Sequence, residues 1–246
     1  MIPKYGKISH MNKIVFFDTE TTGNTEKDFL CQIAYKNGKE SFVALYKPSV
    51  KIPPEASAVH HITNKMLVDK PSFSESGDKN KIKELFENSV VVAHNAPFDL
   101  IMLKKEDIEP KRFICTLRLA RHLDREEKID RYNLQYLRYF LDIEIDATAH
   151  DALGDVLVLE QLYKRLKKKI MDEENLGEDE AVEKMIEISL HPSLLHTFKF
   201  GKYNGKRIEE VIKIDRGYLQ WLLDQKLNND GIDEDWIYTL KHYLEK

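Results

Sequence analysis

A chain of 246 residues, 42% hydrophobic and 33% charged, is long enough for one large domain or for a medium domain with a small companion, and it is too apolar for a disordered chain. The formal charge of −4, from 38 basic and 42 acidic residues, excludes a globally basic nucleic-acid footprint. It does not exclude a nuclease, whose catalytic acids lower the count and are offset by bound metal. Two cysteines, Cys31 and Cys115, suggest neither a disulfide framework nor a cysteine zinc site, and no apolar run is long enough for a membrane span, so a reducing cytoplasm is expected.

After a short lead over the first dozen residues, the apolar run Ile14-Val15-Phe16-Phe17 leads straight into Asp18-Thr19-Glu20-Thr21-Thr22-Gly23. The run reads as a buried strand that the glycine ends. Side chains alternate across a strand, so Asp18 and Glu20 share a face. Two neighbouring carboxylates repel each other. They are either ordinary surface acids where the strand runs into solvent, or partners to a cation, a base or a shared proton.

Residues 29–35 and 41–46 predict two more strands, joined through Asn37-Gly38, a strong hairpin signal. Pro48, Pro53 and Pro54 interrupt the pattern, and 55–61 and 63–68 read as short helical pieces. An amphipathic helix follows over 79–88, with Ile82, Leu85 and Phe86 on one face. Val90-Val91-Val92-Ala93 is a second continuously apolar strand, ending in His94-Asn95-Ala96-Pro97-Phe98-Asp99. Asn95 is placed as a helix N-cap with Pro97 in the first turn. Asp99 then also falls in the first turn, where the helix dipole favours a carboxylate; by itself it is equally a plain first-turn acid.

Residues 113–115 suggest an edge strand, and 116–122 and 133–141 suggest helices, the latter with Leu134, Leu137, Phe140 and Leu141 inward. Between them, 125–131 is a charged loop. A long helix from about 149 to 169 carries Ala152, Val156, Leu159, Leu162 and Leu166 at helical spacing, with Asp155 on the same stripe. An acid on the core-facing side of a helix needs a partner. His150, five residues before Asp155, does not stack on it and approaches from the loop side. Residues 171–190 read as a separate acid-rich helix. From 197 the pattern changes to a tight hairpin, Phe198-Lys199-Phe200-Gly201-Lys202-Tyr203-Asn204-Gly205-Lys206-Arg207, followed by two short helices and a closing helix over 233–245. Trp221 is expected in the core of this second unit, and its basic residues are either solvated or aligned with a nucleic-acid backbone.

Asp18, Glu20, Asp99 and Asp155 supply oxygen ligands of the kind that hold Mg²⁺ or Mn²⁺, and His150 adds a group able to take a proton near neutral pH. Together they suit metal-assisted hydrolysis of a phosphodiester. Residues 18–23, 94–99 and 150–155 resemble, in order and spacing, the three motifs of the DEDDh exonucleases. These are the ribonuclease-H-like 3′→5′ exonucleases that include the proofreading subunit of bacterial DNA polymerase III. The resemblance implies an α/β fold, a ribonuclease-H-like mixed sheet flanked by helices. It implies Asp18, Glu20, Asp99 and Asp155 as ligands of two Mg²⁺ or Mn²⁺ ions and His150 as general base. It places Thr21, Thr22 and Gly23 at the terminal phosphate or sugar, and Phe98, with Asn95 beside it, near the scissile nucleotide. Residues 55–63 are similar to the segment that holds the terminal nucleotide, which brings Glu55 and His60 to the 3′ end. His61 stands where many members carry glycine.

Residues 200–207 and 218–223 resemble the small C-terminal module of exodeoxyribonuclease X-like proteins. The expected organisation is an exonuclease domain over 10–170, a helical linker over 171–194 and a small α+β module over 195–246. The expected activity is 3′→5′ removal of 5′-mononucleotides, with DNA favoured over RNA, in repair or proofreading. The expected partners are single-stranded or 3′-end nucleic acid, with a polymerase or repair protein as a further candidate. A non-catalytic nucleic-acid- or partner-binding module is the reading from another class.

Overall fold

The strands form where the sequence is β-branched and aromatic. In the computed structural model, which describes residues 13–145, 152–228 and 233–245, they are β1 (Ile14–Thr21), β2 (Leu30–Asn37), β3 (Glu40–Leu45), β4 (Val90–Ala93) and β5 (Arg112–Cys115). They make one mixed sheet in the order β3-β2-β1-β4-β5. Gly38 turns the β2–β3 hairpin at φ +59°, a left-handed value that glycine adopts without a Cβ clash. β1 pairs antiparallel with β2 and parallel with β4, in the register Ile14–Val90 to Phe16–Val92. A parallel pair needs a crossover, which α2 (Asp78–Glu87) provides. β1 and β4 therefore end at the same edge of the sheet. The segment after β4 enters α3 (Ala96–Lys105) at that edge.

Alternation along β1 sorts its side chains between two cores. Phe16 faces α4 (Thr116–Leu123), α5 (Leu134–Phe140), α6 (Ala152–Glu174) and α7 (Glu178–Ser189), packing among Leu119, Leu137, Val156 and Met185. Val15 and Phe17 face the other way, toward Ile82 and Phe86 of α2 and Leu103 of α3. Phe16 meets Tyr163 edge-on at 5.2 Å and Phe17 meets Phe86 at 5.0 Å, aromatic pairs that each add about 0.5–1.5 kcal/mol beyond area burial.

The boundary between the two long helices lies later than the spacing predicts. Ile170 still belongs to the buried stripe, so α6 continues to Glu174. It stops at Asn175, whose φ is 51°, and α7 begins after Gly177. In α5, Leu137 is buried but Phe140 is not; it is 48% exposed, against the expectation that it points inward. A helix of two turns has one row to bury, and Leu137 occupies it.

Residues 194–244 gather around their own apolar centre, Phe198 stacked on Trp236 at 5.4 Å. The expected hairpin is reduced to one bridge, Thr197 to Arg207, around a 3₁₀ turn at Gly201–Tyr203. Helices α8 (Ile208–Ile214), α9 (Arg216–Asn228) and α10 (Glu234–Leu244) complete the unit. Trp221 is not in this core. α9 turns Leu219, Leu222 and Leu223 inward, which leaves Trp221 53% exposed, and Trp236 supplies the buried indole. Cys31 and Cys115 are buried and unpaired. No helix among the described residues is long and apolar enough to cross a membrane.

Candidate active site

The end of β1 and the first turn of α6 meet on the sheet face that carries Phe16. Carboxylate oxygens of Asp18, Glu20 and Asp155 all lie within 4.8 Å of one another. The strand period puts Asp18 and Glu20 on one side, and the helical stripe turns the buried Asp155 toward them. Burial, and then the negative charges of Asp99, Glu20 and Asp155, holds the Asp18 carboxyl well above the usual carboxylate range. Three anions at this separation fit a hard divalent cation, which favours carboxylate oxygen and would relieve the repulsion.

Asp99 approaches from the opposite face and stands outside that 4.8 Å group. Thr19, between Asp18 and Glu20 but pointing the other way, donates to Asp99 Oδ1 at 2.7 Å. Burial raises the Asp99 carboxyl to about 7, against the opposing pull of the Thr19 hydroxyl and nearby backbone N–H groups. Gln135 of α5 donates through Nε2 to Asp155 Oδ1, while its buried Oε1 has no partner among the described residues. Neither Thr19 nor Gln135 stands out in sequence; threonine and glutamine are common at strand ends and in helices. His150 lies outside the described residues.

The residues expected to hold the terminal nucleotide are arranged around the same edge. Thr21 is buried and donates to the Gly23 carbonyl; Thr22 is buried, donates to Asp28 Oδ1 at 2.8 Å and accepts from the Phe29 N–H at 3.0 Å. The Asp28 carboxylate lies 2.6 Å from where a Cβ on Gly23 would sit, so no other residue fits there without moving it. The β1–β2 register shifts at Glu20/Thr21, the kind of irregularity that re-aims a strand end.

His60 ends α1 (Pro54–His60), is buried, and spends both ring nitrogens on backbone. Nδ1 accepts from the Ile62 N–H at 3.0 Å, which leaves the proton on Nε2, directed at the Thr21 carbonyl 3.2 Å away. Burial lowers its pKa, consistent with this neutral form. His60 thus ties the 55–63 segment to the end of β1. Glu55, in the first turn of α1, is exposed. His61 caps α1 at φ 61°, the conformation glycine takes most readily. Asn95 occupies the N-cap of α3 in the left-handed region at φ 65°, but its side chain makes no capping hydrogen bond. It is exposed, and Phe98 is half-buried.

His94, which sequence reasoning left without a role, bridges the Thr116 hydroxyl at 2.9 Å and the Tyr132 carbonyl at 2.6 Å. Burial lowers its pKa to about 4, so it is a neutral brace between β4 and the loop before α5.

Residues 15–163 match the family described as Exonuclease, and residues 198–226 match the Exodeoxyribonuclease X-like C-terminal family. Among curated proteins the chain is similar to Exodeoxyribonuclease 10 of Escherichia coli K12, 36% identical over 203 residues that make up 82% of this chain and 83% of the relative. It is also similar to the DNA polymerase III subunit epsilon of Treponema pallidum, 32% identical over 60% of this chain and 73% of the relative. Among solved structures, Exonuclease X in complex with 5′ overhanging duplex DNA superposes with a TM-score of 0.55 at 26% identity, over 72% of this chain and 99% of that one. E. coli Exonuclease I with an oligonucleotide superposes at 0.53 with 20% identity, over 64% of this chain and 41% of that one, a likeness of fold.

Proposed function

The chain belongs to the exonuclease family and is a 3′→5′ exonuclease, and from that premise we propose that it releases 5′-mononucleotides from the 3′ ends of DNA with Asp18, Glu20, Asp99 and Asp155 as its acidic centre. The observation that carries this reading is the meeting of the Asp18, Glu20 and Asp155 carboxylates within 4.8 Å. These residues would hold Mg²⁺ or Mn²⁺, two ions in all, with Asp99 completing the set from the opposite face. When bound, such ions supply the positive charge that makes water a nucleophile at neutral pH and that stabilises the departing 3′-oxygen.

The chain's own residues do the rest. Thr19 orients Asp99, and Gln135 orients Asp155. Thr21, Thr22 and Gly23 seat the terminal nucleotide, with their hydroxyls already engaged so that the backbone of the turn presents a fixed surface. Glu55 and His60 lie at the 3′ end, His60 by positioning Thr21, and Asn95 and Phe98 border the scissile nucleotide. His150 takes the proton from the attacking water. Exonuclease X and Exonuclease I were each solved with DNA, which supports DNA as the substrate here. The same reading gives an exonuclease domain over 10–170 joined through 171–194 to a module over 195–246, working in cytoplasmic repair or proofreading, with a polymerase or repair protein as a candidate partner.

The test is one assay with 3′-labelled DNA and RNA side by side, in Mg²⁺, in Mn²⁺ and in chelator. Loss of label from DNA, abolished by chelator, is expected. Intact DNA in both metals overturns the reading, and preferential loss from RNA moves the substrate to RNA.

A further inference from the structure

α5 does two things at once. Its first turn sends Gln135 to Asp155 at the acidic centre. Its outer face shows aromatic rings to solvent: Tyr139 is 70% exposed and Phe140 48%. Tyr136 and Phe140, one turn apart, lie nearly parallel at 16° with centroids 5.9 Å apart. The Arg138 guanidinium stands 5.4 Å from the Tyr139 ring centre. Looseness of the helix does not explain the exposure. Leu137 anchors it in the core, and Arg138 and Arg165 bind the carbonyls of Ile145 and Asp142 at 2.8 and 3.0 Å just beyond its end.

Arg131, Asn133, Gln135, Tyr136, Tyr139 and Phe140 line a groove of about 380 Å³. Of these residues Gln135 is the one that touches Asp155, and Arg131 and Asn133 also line a cleft of about 1030 Å³ bordered by residues 191–197, 199 and 200. Arg131 is exposed. Tyr139 is one helical turn from Gln135, so its ring lies one turn from a side chain that touches the acidic centre.

We propose that the outer face of α5 is a base-stacking subsite of the nuclease, in which Tyr136, Tyr139 and Phe140 take unpaired bases of the substrate and Arg131 meets its phosphates. Exposed rings beside a cation match the two faces of a nucleotide, and every base has a π-face that such rings accept without reading sequence. Gln135 both lines the groove and holds Asp155, so the groove adjoins the reacting centre, which makes nucleic acid the occupant rather than a protein. The inference rests on the exonuclease reading above.

The experiment compares KM and kcat on an oligothymidylate of about twelve nucleotides with those on a dinucleotide, for the wild type, Tyr139→Ala, Phe140→Ala and Tyr139→Phe. Stacking is expected to show as a rise of about tenfold in the ratio of the two KM values for each alanine variant, with Tyr139→Phe restoring it. Arg131→Ala is expected to lower the dependence of log KM on log salt by roughly 0.7 for the long substrate. Ile214→Ala, at an exposed position on the far unit, serves as the neutral control. Melting temperatures of all variants separate binding from unfolding. The proposal fails if the alanine variants keep the wild-type ratio, if Tyr139→Phe loses as much as Tyr139→Ala, or if the substitutions change the sedimentation of the protein instead, which would make the face a contact between copies. A wild type inactive on both substrates would be a failure of the exonuclease reading itself.

Discussion

Among the described residues, two groups of buried charge are built in opposite ways. At the acidic centre, Asp18, Glu20 and Asp155 face one another within 4.8 Å with Asp99 close behind, and two neutral groups reach into it, the Thr19 hydroxyl to Asp99 and the Gln135 amide to Asp155. At the junction of α4 with α10, Arg118 is 3% exposed and fully matched. Its Nε donates to Asp235 Oδ1 at 3.1 Å, its Nη1 to the Ser189 carbonyl at 2.7 Å and its Nη2 to Glu234 Oε2 at 2.5 Å. Arg121 donates to the other oxygen of Asp235, and the Ser193 N–H caps the set at 3.0 Å. A group in which opposite charges pair is a structural joint, here between the sheet domain and the C-terminal helices, although the buried Arg121 Nε has no partner among the described residues. At the acidic centre Asp18 and Asp99 are instead pushed above the usual carboxylate range, and a cluster of like charges of this kind suits a cation.

The sharpest way to break this contrast is to neutralise one member of each group. Asp18→Asn is expected to cut nucleotide release at least about a thousandfold, because charge stabilisation by a bound ion is worth several kcal/mol. The same variant is expected to melt higher than the wild type in chelator at pH 8, since it removes repulsion. Release of 3′ label and melting in chelator check both halves. Arg118→Met should do the reverse: on the order of 3 kcal/mol of stability lost in denaturant titration, because Asp235 is left buried with one partner fewer. If both substitutions shift stability in the same direction, the contrast fails.

The pH dependence sharpens it. Asp99 titrates near 7 in the folded chain because of burial, above its ordinary value. The folded state therefore holds the proton more tightly than the unfolded state. Metal-free stability is greatest below the ordinary carboxylate pKa and falls as pH rises toward and through 7, by at most about 1.4 kcal/mol per pH unit for this group. Asp99→Asn should flatten that slope in chelator melts across pH 4–8. The smallest expected effect is at His61. With φ at 61°, His61→Gly relieves a left-handed side chain and should stabilise by roughly 0.5–1 kcal/mol in urea titration, with little effect on the joint or the acids.

Much of the site was legible because its signals are local. Asp18 and Glu20 announce a shared face through strand alternation, and Asp155 betrays itself as an acid on an apolar stripe. The partners were not legible. Thr19 reaches a residue 80 positions away, and Gln135 reaches Asp155 only because α5 and α6 cross. Trp221 and Phe140 misled for a related reason: in short amphipathic helices apolar residues outnumber the inward positions, and only packing decides which ring is left outside.

The sequence by itself determined the order of the strands and helices, the hairpin at Gly38 and the three acidic segments, because periodicity and turn chemistry act over a few residues. The tertiary structure decided which acids lie together, where α6 ends, how Arg118 locks the C-terminal helices to the sheet domain, and that α5 turns its rings to solvent beside the acidic centre. These depend on contacts between residues far apart in the chain, whose geometry exists only once the sheet has formed.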